Sequence, residues 1–399
     1  MVYRALGLMS GSSLDGLDLC FTHLHEISGK WQYEIVKADC YPYSPEWVER
    51  LKHATDLNAR DYLLLHVDYG HYLGQLVNRF IEENSIGYQV QLISSHGHTT
   101  FHMPGNKMTA QLGDGASIAA ETGINVVSDL RAMDLALGGQ GAPIVPIGEK
   151  ILLGDYAYFL NLGGIANISA DMGKISTALG TPTALEASTA LDLTNEAPLT
   201  ALGIRQTLGT KVAFDVSPAN RVLNLLANEL GEEYDEGGAL AQSGALNESL
   251  LRELNRLEYY QSPYPKSLAN DFSTDVVYPI IKRSGVTAVD GLRTMTEHVV
   301  FQIKSSIEKL IGGVSTPQQL LATGGGAFNT FLIKRLGAGL NELNIKVVIP
   351  DENLIKYKEA LIMALMGVLR WREENNVMSS VTGAERDSIG GAVWIGQEA

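Results

Sequence analysis

Cysteine is nearly missing from this chain: Cys20 and Cys40 are the only two in 399 residues. Two thiols outside any CxxC spacing give neither a disulfide framework nor a cysteine metal site, and they fit buried thiols in a reducing compartment. Positive charge is scarce as well, with 30 Lys and Arg against 45 Asp and Glu, a formal charge of −15. That balance repels nucleic acid and anionic membrane surfaces, so neither is expected as a partner. It is no bar to ATP, because N–H donors, local basic groups and Mg²⁺ neutralise phosphates. No apolar run approaches the length of a membrane span. No GxxxxGK[ST] phosphate loop occurs either. Met1 to Arg4 lead straight into the first apolar segment, leaving no room for a signal peptide, and the expected location is the cytoplasm.

Glycine, in contrast, is plentiful, at 41 residues. The most informative run is Gly7-Leu8-Met9-Ser10-Gly11-Ser12-Ser13-Leu14-Asp15-Gly16-Leu17-Asp18. Apolar, β-prone residues enter a turn of Gly, Ser and Asp and leave through a second strand, which predicts a β-hairpin. Glycine lets backbone approach a phosphate closely. Ser12 and Ser13 can donate to phosphate oxygens, and Asp15 or Asp18 can hold Mg²⁺ directly or through water. The same residues also suit an ordinary tight hairpin.

The length suggests two domains. Strands are expected at 3–9, 16–24, 31–39 and 90–95, and helices near 45–58 and 61–84. In the second helix Leu63, Leu64, Val67, Tyr72, Leu76 and Phe80 fall along one side and are assigned to the core. A helix over 114–122 and a strand over 124–127 complete a first α/β unit, and the Gly- and Pro-rich stretch 131–148 suits a hinge or crossing. A second unit opens with a strand at 156–161, turns at Leu162-Gly163-Gly164 and returns through 165–169, echoing residues 3–21 as a weak repeat. Helices are expected near 218–230, 240–258, 291–311 and 356–374. A strand at 320–322 ends in Thr323-Gly324-Gly325-Gly326.

Three glycine turns in this order resemble the superfamily of actin, sugar kinases and heat-shock chaperone ATPases. Further motifs narrow the resemblance to the anhydro-N-acetylmuramic acid kinase family over about residues 7–392. They include Ser95-His96-Gly97-His98-Thr99, Gln111-Leu112-Gly113-Asp114 and Asp129-Leu130-Arg131 with Gly138 to Pro143. Asn161 to Asn167, Phe214-Asp215 with Pro218 and Asn220, Pro265-Lys266-Ser267, Lys358-Glu359-Ala360 and Ser380 to Ala384 complete the series. The resemblance implies two RNase-H-like, actin-like ATPase domains with mixed five-stranded sheets flanked by helices, and ATP and substrate in the cleft between them. The expected lobes are 1–130 with about 372–399, and 131–371.

The reaction so implied opens the 1,6-anhydro bridge of the sugar with water at C1 while ATP phosphorylates O6, within cell-wall recycling. The departing O6 is captured by phosphate, so one carboxylate acting as base on water is enough. By the resemblance that base is Asp215; the local alternative is a residue capping a helix N-terminus. Gly11, Ser12, Ser13, Leu14, Asp15, Gly16, Leu17 and Asp18 would hold the β- and γ-phosphates, with Asp15 and Asp18 organising Mg²⁺. Gly163 and Gly164 would approach the phosphates from the other lobe, and Gly324, Gly325 and Gly326 would flank adenosine. His96, Gly97, Arg131, Gln140 and Glu359 would line the sugar pocket, with Arg131 taking the lactyl carboxylate. Alternatives are a surface ion pair of Arg131 with Asp129 or Asp134, a solvated helix charge for Glu359, and a metal site at His96, His98 and His102. Partners are then the anhydrosugar and ATP, with a homodimer left open.

Several positions depart from the family pattern. Ser12 stands for Thr and His98 for Gln, while Val216, Ser217 and Ala219 replace Thr and two glycines beside Asp215. If those glycines served positive φ, Ser217 and Ala219 would force a different loop. A kinase for a related anhydrosugar such as levoglucosan, or a non-catalytic nucleotide or sugar sensor, therefore stays in view. A chaperone-like ATPase fits less well.

Overall fold

The computed structural model describes residues 1–11, 13–178, 211–264, 266–269, 271–311 and 316–396. The chain forms two compact units, Met1–Gly154 with Tyr357–Ala399, and Asp155–Lys356. The division therefore falls later than the expected 130 and earlier than the expected 371. Long-range bonds explain this. The Glu149 carboxylate pairs with the Lys358 ammonium at 3.1 Å, and Asp134 accepts from the Thr382 hydroxyl at 2.6 Å. Such pairs tie 131–154 to the C-terminal segment and leave no local signal in the sequence. The helix Glu352–Trp371 carries non-helical φ/ψ at Tyr357, where the second unit gives way to the first.

The first unit is built on β1 (Val2–Ser10), β2 (Gly16–Ile27), β3 (Lys30–Pro42), β4 (Leu92–Met103), β5 (Met108–Leu112), β6 (Asn125–Ser128) and a C-terminal strand, Ala392–Trp394. The sheet runs C-terminal strand, β6, β4, β1, β2, β3, with β5 paired to β4, giving seven strands where five were expected. β1–β2 and β2–β3 are antiparallel, and β1–β4 and β4–β6 are parallel. In the second unit β7 (Tyr158–Leu162), β8 (Ile165–Asp171), β9 (Lys211–Pro218), β10 (Gln318–Thr323) and β11 (Ile345–Val348) run in the order 11-10-7-8-9. Read outward from each first strand, both sheets give the same plan: two antiparallel neighbours on one side and two parallel ones on the other. The weak repeat of glycine turns is thus a repeated five-stranded core, and the first copy adds β5 and the C-terminal strand. Both sheets are mixed and flanked by helices.

Each unit buries its own core. In the first, Leu6, Leu8, Leu17, Leu19 and Phe21 alternate inward from the sheet against Tyr69, Leu73, Val77 and Phe80 of the helix Ala59–Glu83. Of the residues assigned to the core of that helix, Leu63, Leu64 and Val67 are exposed; the buried face is formed by Leu65, Tyr69, Leu73, Leu76, Val77 and Phe80. Two glycines fix the phase. A Cβ on Gly70 would sit 2.6 Å from the Asp114 carbonyl, and one on Gly74 would sit 2.6 Å from the Glu121 Cβ. Only that face lets the helix lie this close to Gly115–Thr122. Among the described residues no helix is long and apolar enough to cross a membrane.

Candidate active site

The first unit holds the Gly11–Asp18 segment with His96 and Gly97, as expected, and also Arg131, Gln140 and Glu359, which the expected boundaries gave to the second lobe. β1 and β2 form the predicted hairpin, with Ser10 opposite Leu17 and a loop between them. Asp15 Oδ1 accepts from the Ser13 hydroxyl at 2.6 Å and from the Gly16 N–H at 3.0 Å, which fixes its carboxylate at the loop exit. Leu14 sits at φ 59°, a left-handed conformation costing a side-chain-bearing residue about 1–2 kcal/mol, and such strain gathers at functional loops. Ser12 lies outside the described residues. Asp18, half-buried on β2, has its pKa pushed up to about 6, first by burial and further by the charges of Asp15 and Glu359, against a thiol hydrogen bond from Cys40.

The loop is rooted in a buried polar cluster that sequence reasoning missed. Ser10 Oγ meets His98 Nδ1 at 3.0 Å, the Tyr43 hydroxyl at 2.8 Å and the Tyr69 hydroxyl at 3.1 Å, and the two tyrosine oxygens are 2.6 Å apart. Four contacts take four protons and three hydroxyls carry three, so full satisfaction needs the fourth from His98 Nδ1–H. Burial holds His98 neutral, with its pKa near 4. The family's usual Gln also carries an N–H donor, so His98 keeps the same capability.

His96 and Gly97 form a bulge in β4 opposite β1, where the register advances from Leu8–Ser95 to Ser10–His98. Gly97 has φ 71°, and a Cβ there would lie 2.5 Å from the Leu112 carbonyl, so this glycine is required by the fold. His96 is buried, and its pKa falls to about 3 through burial and the nearby Arg131 charge. Its Nε2 accepts from Arg131 Nε at 2.9 Å, so its proton sits on Nδ1, which donates to the Gly97 carbonyl at 2.8 Å. The neutral ring aims Arg131 through Nε, and among the described residues the guanidinium's two NH₂ groups make no hydrogen bond. Neither predicted ion pair of Arg131, to Asp129 or Asp134, forms. Burial lowers the Arg131 pKa to about 10, and the Glu359 carboxylate opposes that shift. Glu359 is half-buried on its helix, beside the buried Lys358–Glu149 pair, and is not a solvated surface charge. Gln140 is exposed, with its backbone N–H donating to the Thr382 carbonyl at 2.8 Å. The three histidines of the metal alternative do not converge: Nδ1 of His96, His98 and His102 turn to Gly97, Ser10 and Thr109.

In the second unit Asp215 lies within β9, while the following helix, Asn220–Asn228, has Ala219 at its N-cap position. The capping alternative therefore fails. Both carboxylate oxygens are gripped: Oδ1 by the Asn167 amide at 2.9 Å and Oδ2 by the Leu268 N–H at 2.8 Å. Its backbone is pinned too, with its N–H donating to the Lys266 carbonyl at 3.1 Å and its carbonyl accepting from the Tyr259 hydroxyl at 2.6 Å. The expected Pro-Lys-Ser motif acts here through Lys266 and the backbone after it; Pro265 lies outside the described residues. Ser217 and Ala219 are buried at ordinary negative or extended φ, so their replacement of glycine does not demand a different loop.

The glycine turns of this unit separate into two kinds. A Cβ on Gly163 would meet nothing closer than 3.6 Å, and one on Gly164 nothing closer than 3.7 Å, and neither has a left-handed φ. The fold itself does not require glycine at either position. Gly324 does, at φ 80° with a Cβ 2.3 Å from Asn161 Oδ1, and so does Gly326, 2.7 Å from the Leu162 Cβ. Gly325 is open, its closest neighbour Asn220 Nδ2 at 3.6 Å. The Asn220 side chain, at the start of the helix after β9, donates to the Leu162 carbonyl of the first turn at 3.0 Å.

These features agree with comparison to known proteins. The model of the family described as anhydro-N-acetylmuramic acid kinase matches residues 3–177 and 198–396. A curated relative of that name from Hydrogenovibrio crunogenus is 31% identical, covering 98% of this chain and 97% of its own. Another from Aliivibrio fischeri is 30% identical, covering 98% and 99%. One from Bacillus cereus is 27% identical, covering 97% and 98%. The chain belongs to the anhydro-N-acetylmuramic acid kinase family.

Proposed function

We propose that this chain uses ATP and Mg²⁺ in the cytoplasm to convert 1,6-anhydro-N-acetylmuramic acid to N-acetylmuramic acid 6-phosphate during cell-wall recycling. The observation that carries the reading is the doubly gripped carboxylate of Asp215 on β9, at the position the family motif assigns. Each of its oxygens keeps a lone pair after these bonds, so Asp215 can orient a water and take its proton. The water oxygen bonds to C1, the C1–O6 bond breaks, and O6 takes the γ-phosphoryl group as ADP departs. One carboxylate serves because phosphate, and not a proton, captures the leaving oxygen.

Phosphoryl transfer needs positioning and neutralisation of charge. The Gly11–Asp18 loop supplies N–H and hydroxyl donors, and Gly163 and Gly164 offer backbone that a phosphate can approach without a Cβ. Gly324 to Gly326 flank the adenosine. Asp15 and Asp18 suit Mg²⁺: burial first, and then the neighbouring charges of Asp15 and Glu359, raise the pKa of Asp18, and a bound cation would favour its ionised form. Bound there, the ion would neutralise phosphate charge. Arg131, aimed by neutral His96, suits the lactyl carboxylate, while Gly97, Gln140 and Glu359 complete the sugar contacts. The test is ADP release by purified protein with and without the anhydrosugar, the product identified by mass spectrometry. Sugar-dependent ADP matched by a muramic acid phosphate supports the reading, and its absence under conditions where a known relative turns over overturns it.

A further inference from the structure

We propose that His23, His25 and Glu34 bind one divalent transition-metal ion, of the class of Zn²⁺, Ni²⁺ or Cu²⁺, on the β2–β3 hairpin. None of the three takes part in the reaction above. His23 and His25 are two apart on β2 and project from one face of it, and the antiparallel register sets Glu34 of β3 directly across from His23. One ligand atom from each residue lies within 4.8 Å of the others. Two imidazoles and a carboxylate form a donor set suited to these metals, with water filling the remaining positions.

The spacing within the group favours an intervening ion over a direct bond. His23 Nδ1 is 3.6 Å from Glu34 Oε2, too far for a hydrogen bond. Two ligand atoms on a tetrahedral zinc at ~2.1 Å stand roughly 3.4 Å apart. His23 thus already sits near ligand spacing from Glu34, and small side-chain movements of His25 and the exposed Glu34 close the rest. The His25 ring stands edge-on to that of His23, with centroids 6.3 Å apart.

Two features limit the affinity. With the ion on Nδ1, the His23 proton moves to Nε2, a buried atom with no hydrogen-bond partner among the described residues. An absent outer partner of this kind typically weakens metal binding about 10–100-fold, which points to micromolar dissociation constants. Arg4 pairs with His23 from the β1 side and opposes a cation, although its own exposure lets it turn to solvent.

The experiment uses the full chain without an affinity tag, titrated with ZnCl₂ and NiCl₂ by calorimetry, with bound metal counted after gel filtration. One ion per chain is expected, weakened at least about tenfold in His25→Ala and in Glu34→Gln and tightened in Arg4→Gln. Both weakening variants alter exposed or half-buried side chains, and unchanged thermal melting without metal verifies their folding. No binding up to ~1 mM, or binding that survives the His25→Ala/Glu34→Gln double variant, overturns the proposal. So does binding abolished by Asp18→Asn, which would assign the ion to the phosphate loop.

Discussion

Alanine at Gly163 separates a glycine kept for a ligand from one kept for the fold. A methyl there meets no protein atom nearer than 3.6 Å and requires no left-handed φ. Folding stability should therefore stay level or rise by up to about 1 kcal/mol, because alanine restricts the unfolded chain. Gly324→Ala is the contrasting case. Its Cβ would lie 2.3 Å from Asn161 Oδ1 at φ 80°, so about 1–2 kcal/mol of backbone strain adds to a steric clash. Melting temperature should fall in that variant by several degrees and stay level or rise slightly in Gly163→Ala. Nucleotide binding is the readout in which Gly163→Ala should show its loss. A phosphate that approaches the Gly163 backbone cannot do so past a methyl, and losing one charged hydrogen bond costs about 1.5–3 kcal/mol, or roughly 10–100-fold in Kd for ATP. Calorimetry with a non-hydrolysed ATP analogue measures it. Unchanged stability together with unchanged nucleotide affinity in Gly163→Ala would refute the assignment of this turn to phosphate.

Other outcomes follow from the same geometry. Arg131→Ala should raise KM for the muramic sugar about 10–100-fold and change turnover of levoglucosan, which lacks the lactyl carboxylate, far less; equal losses on both would remove Arg131 from carboxylate recognition. Asp18 titrates near 6 in the fold against 3.8 for the free side chain, so the native state holds the extra proton and stability falls as pH rises from about 4 to 6. Asp18→Asn should flatten that slope and stabilise the protein above pH 6, by up to roughly 2–3 kcal/mol, while ATP turnover collapses; a melting profile that keeps its slope contradicts the account. His98→Gln, which keeps an N–H for Ser10, should retain KM for ATP near wild type, and His98→Phe should raise it. Equal effects of the two on KM would deny the cluster a role in setting the loop.

What the sequence makes legible is local. The hairpin about Gly11, the return at Gly163 and the strand end at Gly324 all announce themselves, because turns demand particular residues at short spacing. What it hides is set by partners far away in the chain. The Asp215 carboxylate is held by Asn167 and Leu268, 48 and 53 residues distant, and its carbonyl by Tyr259, 44 residues distant. No local pattern singles out Tyr259. The Ser10 cluster likewise recruits Tyr43, Tyr69 and His98 from three distant segments, and no local pattern joins them. The helix Ala59–Glu83 offers leucines on more than one side, and the close approach at Gly70 and Gly74 decides which side is buried. Glycine was the informative residue there, and the apolar count pointed elsewhere.

Asp215→Asn tests the central claim most directly. The amide keeps the size of the carboxylate but presents an NH₂ where one of its two donors, Asn167 or Leu268, now points, and it cannot accept the water's proton. Single-turnover ADP formation with saturating ATP and anhydrosugar should fall about 10²–10⁴-fold while Kd for the ATP analogue stays within about twofold. A variant that forms ADP at more than about a tenth of the wild-type rate would contradict Asp215 as the base.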